Sequence, residues 1–192
     1  MNTATFDIET SALEAVEAGF ILCAVVKPLG KPSKTFRYDV MGCSAGEETK
    51  LIKRLIAELA NYQVLIGHNI ERFDFPFIKT RAMILGAEFN LRPILYDTLK
   101  AYRRCGYLSR QNGFGKPTAA LAHVVDILGI PQKKTGVYPR EWWKAIWDKH
   151  KGRRKEALDE IVDHCVKDVE MNEKVFDLLF EVDHKMVLRR ER

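Results

Sequence analysis

With 192 residues, 46% of them hydrophobic, the chain can bury one sizeable core but is too short for a second full domain, so residues 1–192 are read as a single domain. Charged residues make up 30% and no low-complexity tract interrupts them, which excludes disorder as the default state. The net charge of +5 suits a polyanionic partner and equally suits plain solubility.

Cys23, Cys43, Cys105 and Cys165 show no Cys-x-x-Cys spacing, which excludes a zinc knuckle or a redox pair and reads as reduced thiols of a cytosolic protein. Asp7 and Glu9 break any basic-then-apolar leader at once. The longest apolar run, Phe20 to Val26, is far too short for a bilayer. The expectation is a soluble, cytoplasmic protein without a membrane segment.

In chain order, residues 3–9 alternate: Ala4, Phe6 and Ile8 on one side, Thr5, Asp7 and Glu9 on the other, which predicts a strand with an acidic face. Phe20 to Val26 predicts a strand buried on both faces, Pro28 to Pro32 a turn, and Lys34 to Tyr38 a third strand closing a meander. Leu51, Ile52, Leu55, Ile56 and Leu59 form the apolar stripe of a helix over Glu47 to Asn61. Val64 to Ile66 is a short strand closed by Gly67, followed by a helix from about Phe75 to Leu85 and a strand Ile94 to Tyr96 ending at Asp97. Cys105 to Pro117 reads as an exposed loop with Gly106, Gly113 and Gly115. Helices are then expected over Thr118 to Leu128, Arg140 to Lys149 and Glu156 to Leu179. Strands first in a meander, then alternating with helices, predict an α/β fold with a mixed sheet and helices on both faces.

Three separated segments carry the chemistry. In a strand Asp7 and Glu9 point the same way, so both carboxylates can hold one ion, although a solvated strand end would also place them there. Asp74, just before Phe75-Pro76, suits a helix N-cap, a role compatible with holding an ion through its second oxygen. Asn69 is a candidate anchor for a sugar or phosphate, or a residue that satisfies its loop's backbone. His164 and Asp168 are four apart on one helical face, a pair poised for proton transfer near neutral pH or an ordinary surface pair. Converging carboxylates repel and need a cation, and oxygen donors suit Mg²⁺ or Mn²⁺. Arg103, Arg104 and Arg110, with Tyr102, Tyr107 and Phe114 interleaved, are candidates to follow a phosphate backbone. Trp142, Trp143 and Trp147 read as core, with a surface for a protein partner as the alternative.

Taken together and in order, Phe6-Asp7-Ile8-Glu9-Thr10, Gly67-His68-Asn69 through Phe73-Asp74-Phe75-Pro76, and His164 to Asp168 resemble the DEDD superfamily of 3′→5′ exonucleases. The second segment is similar to that of the proofreading domain of B-family DNA polymerases. The polymerase-like branch has Tyr where His164 stands, so the chain looks like a His-type site, with Val166 in place of that type's Ala. The resemblance implies an RNase H-like fold with a five-stranded mixed sheet flanked by helices on both faces. It implies two Mg²⁺ or Mn²⁺ ions held by Asp7, Glu9, Asp74 and Asp168, with His164 as general base, releasing nucleoside 5′-monophosphates from a free 3′ end. Thr10 would meet the terminal nucleotide, and Leu13 and Phe73 would pack on its base or else belong to the core. Single-stranded DNA is the favoured substrate and RNA the alternative, with room for a replication or repair protein partner. Rival readings are an RNase H-like endonuclease, an exoribonuclease and a non-catalytic nucleic-acid-binding module.

Overall fold

The computed structural model describes residues 1–16, 19–38, 45–105, 120–131, 137 and 139–190, with the backbone alone at 45, 139 and 184–190. Strands β1 (Thr3–Thr10), β2 (Ile21–Pro28) and β3 (Lys34–Arg37) form the expected antiparallel meander, with Asp7 opposite Val25 and Ala24 opposite Phe36. The register slips between Glu9 and Thr10, a bulge that ends regular pairing where the acidic residues stand. Gly30, at φ +68°, turns β2 into β3, a conformation that L side chains adopt reluctantly.

On the other side of β1, β4 (Val64–Gly67) runs parallel to it and β5 (Ile94–Asp97) parallel to β4. Parallel neighbours need crossovers, and the helices α1 (Ala45–Leu59) and α2 (Asp74–Ile84) lie in them. The sheet order is β3-β2-β1-β4-β5, so β1 is central and the carboxyl ends of β1, β4 and β5 share one edge of the sheet. Open sheets of this kind place ligands at that edge.

Successive side chains of β3 reveal what covers each face. Phe36 lies under the guanidinium of Arg54 on α1, at 5.7 Å, whereas Arg37 binds Asp159 of α6 (Lys151–Arg190) at 2.6 Å. Helices therefore flank both faces, and the α/β class and five-stranded mixed sheet agree with the sequence expectation. Asp7, Glu9, Cys23 and Val25 share the face that meets α6. The 40-residue α6 is about 60 Å long and serves two cores. Its Leu158, Ile161, Cys165 and Val169 join the main core against the sheet, while Met171, Val175 and Leu179 join a second one with α3 (Thr98–Arg104) and α4 (Leu121–Ile127).

The structure corrects four sequence readings. Helix α6 extends past 156–179 at both ends, and at its start a run of largely exposed Lys and Arg carries it on without an apolar stripe. Helix α3 was not expected: it has seven residues, too few for a periodicity, and is set by Asp97, whose Oδ1 accepts the N–H groups of Leu99 and Lys100. Cys105 is buried in the second core rather than starting an exposed loop, and residues 106–117 of that loop lie outside the described residues. Finally, α5 (Pro139–Trp147) exposes Trp143 and Trp147, at 68% and 62%, and only Trp142 packs against the core. Cys23, Cys105 and Cys165 are free thiols, and among the described residues no helix is long and apolar enough to cross a membrane.

Candidate active site

The acidic segments meet at the carboxyl edge of the sheet. Strand alternation turns Asp7 and Glu9 toward α6, where the Cys165 thiol lies 3.5 Å from both the Asp7 carbonyl and its Oδ2. Burial holds the Cys165 thiol well above its usual range, so it keeps its proton and donates. The Asp7 carboxyl is itself pushed well above the usual carboxylate range. Burial is the largest cause, followed by the charges of Asp74, Glu9 and Asp168. Carboxylates from three distant segments thus act on one group.

Asp74 enters from α2, and here the expected N-cap fails. The cap residue is Phe73, with no side-chain cap bond, and Asp74 occupies the first turn. Its Oδ1 instead accepts the N–H of Ile8 at 3.2 Å. The reason lies in the sheet: β4 pairs with β1 only from Thr3 to Thr5, so the buried N–H of Ile8 lies past that ladder and needs an acceptor. Burial and the charge of Asp97 raise Asp74 to about 7 despite two backbone N–H groups that favour its ionised form.

On α6, His164 and Asp168 lie one turn apart, both buried. The His164 Nε2 stands 3.6 Å from Glu9 Oε1 and 3.8 Å from Asp168 Oδ2, bridging β1 and α6. Trp142 presents its ring edge-on to the imidazole, with centroids 6.4 Å apart at 84°.

These oxygens suit hard divalent cations such as Mg²⁺ or Mn²⁺. The carboxylates are close enough to raise the proton affinity of Asp7, yet among the described residues no three His, Cys, Asp or Glu side chains form a ready ligand shell.

The loop from Gly67 to Asp74 is held by a residue the sequence reading did not single out. Asp97, buried at the end of β5, accepts the backbone N–H groups of Asn69 and Glu71 as well as those of α3. Asn69 sits at φ +67°, where Asn and Gly are favoured, and its main-chain carbonyl accepts from Arg72 and Phe73. A Cβ on Gly67 would stand 2.7 Å from that of Ile70, so only glycine fits under this loop. A buried chain of polar contacts then runs from His68 Nδ1 to Thr98 Oγ1 (3.1 Å) and on to Asn172 Oδ1 (2.7 Å), one turn beyond Asp168. The Asp-Thr-Leu-Lys sequence at 97–100 was the available signal: a capping residue directly after a strand.

Beside the carboxylates opens a cleft of about 790 Å³, whose walls include Glu9, Thr10, Leu13, Phe73, Trp142 and Trp143. Thr10 donates its hydroxyl to the Ala12 carbonyl at 2.7 Å, Leu13 is 85% exposed, and Phe73 is half-buried against Phe77. The cationic candidates are elsewhere. Arg104 is engaged by Asp183 through Nε at 3.0 Å and Nη2 at 2.5 Å, fifteen residues, roughly 22 Å of helix, beyond Asp168. Arg103 is exposed on the same short helix, and Arg110 lies outside the described residues.

A mixed five-stranded sheet of this order, with acids gathered at the end of its central strand, defines the RNase H-like class. The chain belongs to the RNase_H superfamily, whose family model matches residues 4–180. A stretch of 44 residues is 46% identical to a DNA polymerase of Methanocaldococcus jannaschii, covering 23% of this chain and 3% of that protein. The family B DNA polymerase from the hyperthermophilic archaeon Pyrobaculum calidifontis shares the fold at a TM-score of 0.65 and 15% identity, over 92% of this chain and 24% of that one. The chain thus spans only a small part of each relative's length.

Proposed function

We propose that this chain is a metal-dependent 3′→5′ exonuclease that removes nucleoside 5′-monophosphates from single-stranded DNA. The observation that carries the reading is Asp7, a buried carboxyl on which Asp74, Glu9 and Asp168 all act, with His164 beside two of them. A fold gains no stability from such crowding, so the arrangement makes sense as a cation site. That the two relatives named above are DNA polymerases favours DNA over RNA.

Asp7, Glu9, Asp74 and Asp168 would hold two Mg²⁺ or Mn²⁺ ions. Bound there, such ions supply Lewis acidity to the scissile phosphate and ease deprotonation of the attacking water. The rest falls to the chain itself. His164 takes the water's proton at Nε2, and the charge it gains lies between Glu9 and Asp168. Cys165 fixes Asp7 by its thiol hydrogen bond, and the N–H of Ile8 fixes Asp74, so both carboxylates are oriented before substrate arrives. Trp142 shields the imidazole from bulk water. Thr10, Leu13 and Phe73, in the adjoining cleft, receive the terminal nucleotide.

Digestion of 3′- and 5′-labelled single strands, duplex DNA and RNA with Mg²⁺ or Mn²⁺ tests this directly. The expected result is stepwise shortening from the 3′ end of linear single-stranded DNA, silenced by EDTA and absent on circular single strands. Cleaved circles would make it an endonuclease, and binding without cleavage a recognition module.

A further inference from the structure

Trp143 and Trp147 are the least economical residues on the surface. Helix α5 holds Trp142 against the core but leaves these two rings open, with centroids 6.4 Å apart and planes tilted by 41°. Both line the cleft that Glu9 also lines, so a chain ending at the carboxylates would pass over them. Directly beyond the rings, the charge changes. Between residues 148 and 155 five Lys and Arg side chains stand against Asp148, a net of +4. Aromatic faces followed by a cationic strip match a polyanion whose bases are unpaired and whose backbone is charged. A peptide helix or a lipid surface would use the apolar rings but leave the link to a buried acidic cluster unexplained.

We propose that Trp143 and Trp147 form a stacking subsite for the unpaired bases next to the 3′ end, with the strand's phosphates continuing over the basic start of α6. The subsite rests on the exonuclease reading for the identity of its neighbour, but base stacking requires no cleavage. Rings on adjacent turns of one helix give each base a separate platform, so the site holds single strands regardless of sequence and rejects a duplex whose bases are already stacked.

Binding measured in EDTA, by anisotropy of a short 5′-fluorescein oligothymidylate, separates the two claims. Trp143→Ala and Trp147→Ala should each weaken binding at least about fivefold, and the Phe variants should stay within about twofold of the parent. A strand abasic just inside its terminal nucleotide, with the terminal base kept, should bind the unmodified protein as weakly as the normal strand binds the double alanine variant. Both rings being exposed, the variants should melt with the parent, and the abasic comparison needs no variant at all. Equal affinity for abasic and normal strands would overturn the subsite. Mg²⁺ digestion of the same oligomer reports on the other claim: hydrolysis without base dependence sinks the subsite alone, whereas base-dependent binding without hydrolysis sinks the exonuclease reading and leaves the subsite standing.

Discussion

Among the buried acids of the described residues, Glu48 and the group around Asp7 are resolved in opposite ways. Glu48, on α1, is closed by its own fold: Arg81 donates from Nε at 2.9 Å and from Nη2 at 2.5 Å, and the N–H of Ile21 adds a third bond at 3.2 Å. Arg81 completes the knot by donating to the Ala15 carbonyl. Asp7, a few residues away in chain terms from that same segment, is met by three more carboxylates. The first arrangement is self-sufficient and holds α1, α2 and the β1–β2 connection together. In the second, the fold places no cation of its own among the described neighbours that act on Asp7. Burial of an acid is therefore no sign of function; the sign of the charge that the fold places beside it is.

Breaking the two clusters should give separable losses. Asp7→Ala should remove nuclease activity by three or more orders of magnitude, as expected when several kcal/mol of charge stabilisation is lost, while the apo protein melts no lower than the parent. His164→Ala should lower kcat by about 10²–10⁴-fold and flatten the acid limb of the pH–rate profile, the part that a merely structural histidine would leave in place. Arg81→Met does the reverse. It strands Glu48 as a buried charge, so unfolding stability should fall by about 3–5 kcal/mol in denaturant melts. If Asp7→Ala instead unfolds the chain and Arg81→Met instead silences an intact one, the comparison is inverted and the site assignment fails.

The strand that carries the site was legible because its period is two and its charges fall on one face. Asp7 and Glu9 could be placed together on that ground alone. The meeting of β1 with the segments of Asp74 and Cys165 was legible only through the order of the segments, since no local spacing reports a contact 66 or 158 residues away along the chain. Asp74 shows how local chemistry misleads. Asp before Phe-Pro is a sound capping signal, but a stranded N–H on β1 competes for the same oxygen and wins because it is buried. Asp97 had a local signal, a capping residue directly after a strand, but its hold on the loop was hidden, because the backbone N–H groups of Asn69 and Glu71 that it accepts carry no sequence signature. The tryptophans of α5 were misread for the opposite reason: spacings of four and five look the same on a helix facing the core and on one facing a cleft.

A pH titration sharpens the contrast furthest, because it needs no substitution. Asp7 and Asp74 both hold their protons more tightly in the folded chain than the usual 3.8, Asp74 to about 7. Between those values the native state binds more protons than the unfolded one, so stability must fall as pH rises from about 4 to about 7, by at most about 1.4 kcal/mol per pH unit for each group. Divalent cations bind the ionised carboxylates and compete with those protons. Thermal melts with EDTA should therefore drop across this window, and Mn²⁺ should raise the midpoint at pH 7.5 while doing little at pH 4.5, where protons already occupy the oxygens. Glu48, already neutralised by Arg81, should add nothing to the ion dependence, so the Arg81→Met chain, though weaker throughout, should show the same Mn²⁺ increment. An increment that vanished with Arg81 and survived Asp7→Asn would move the cation from the edge of the sheet to the wrong acid.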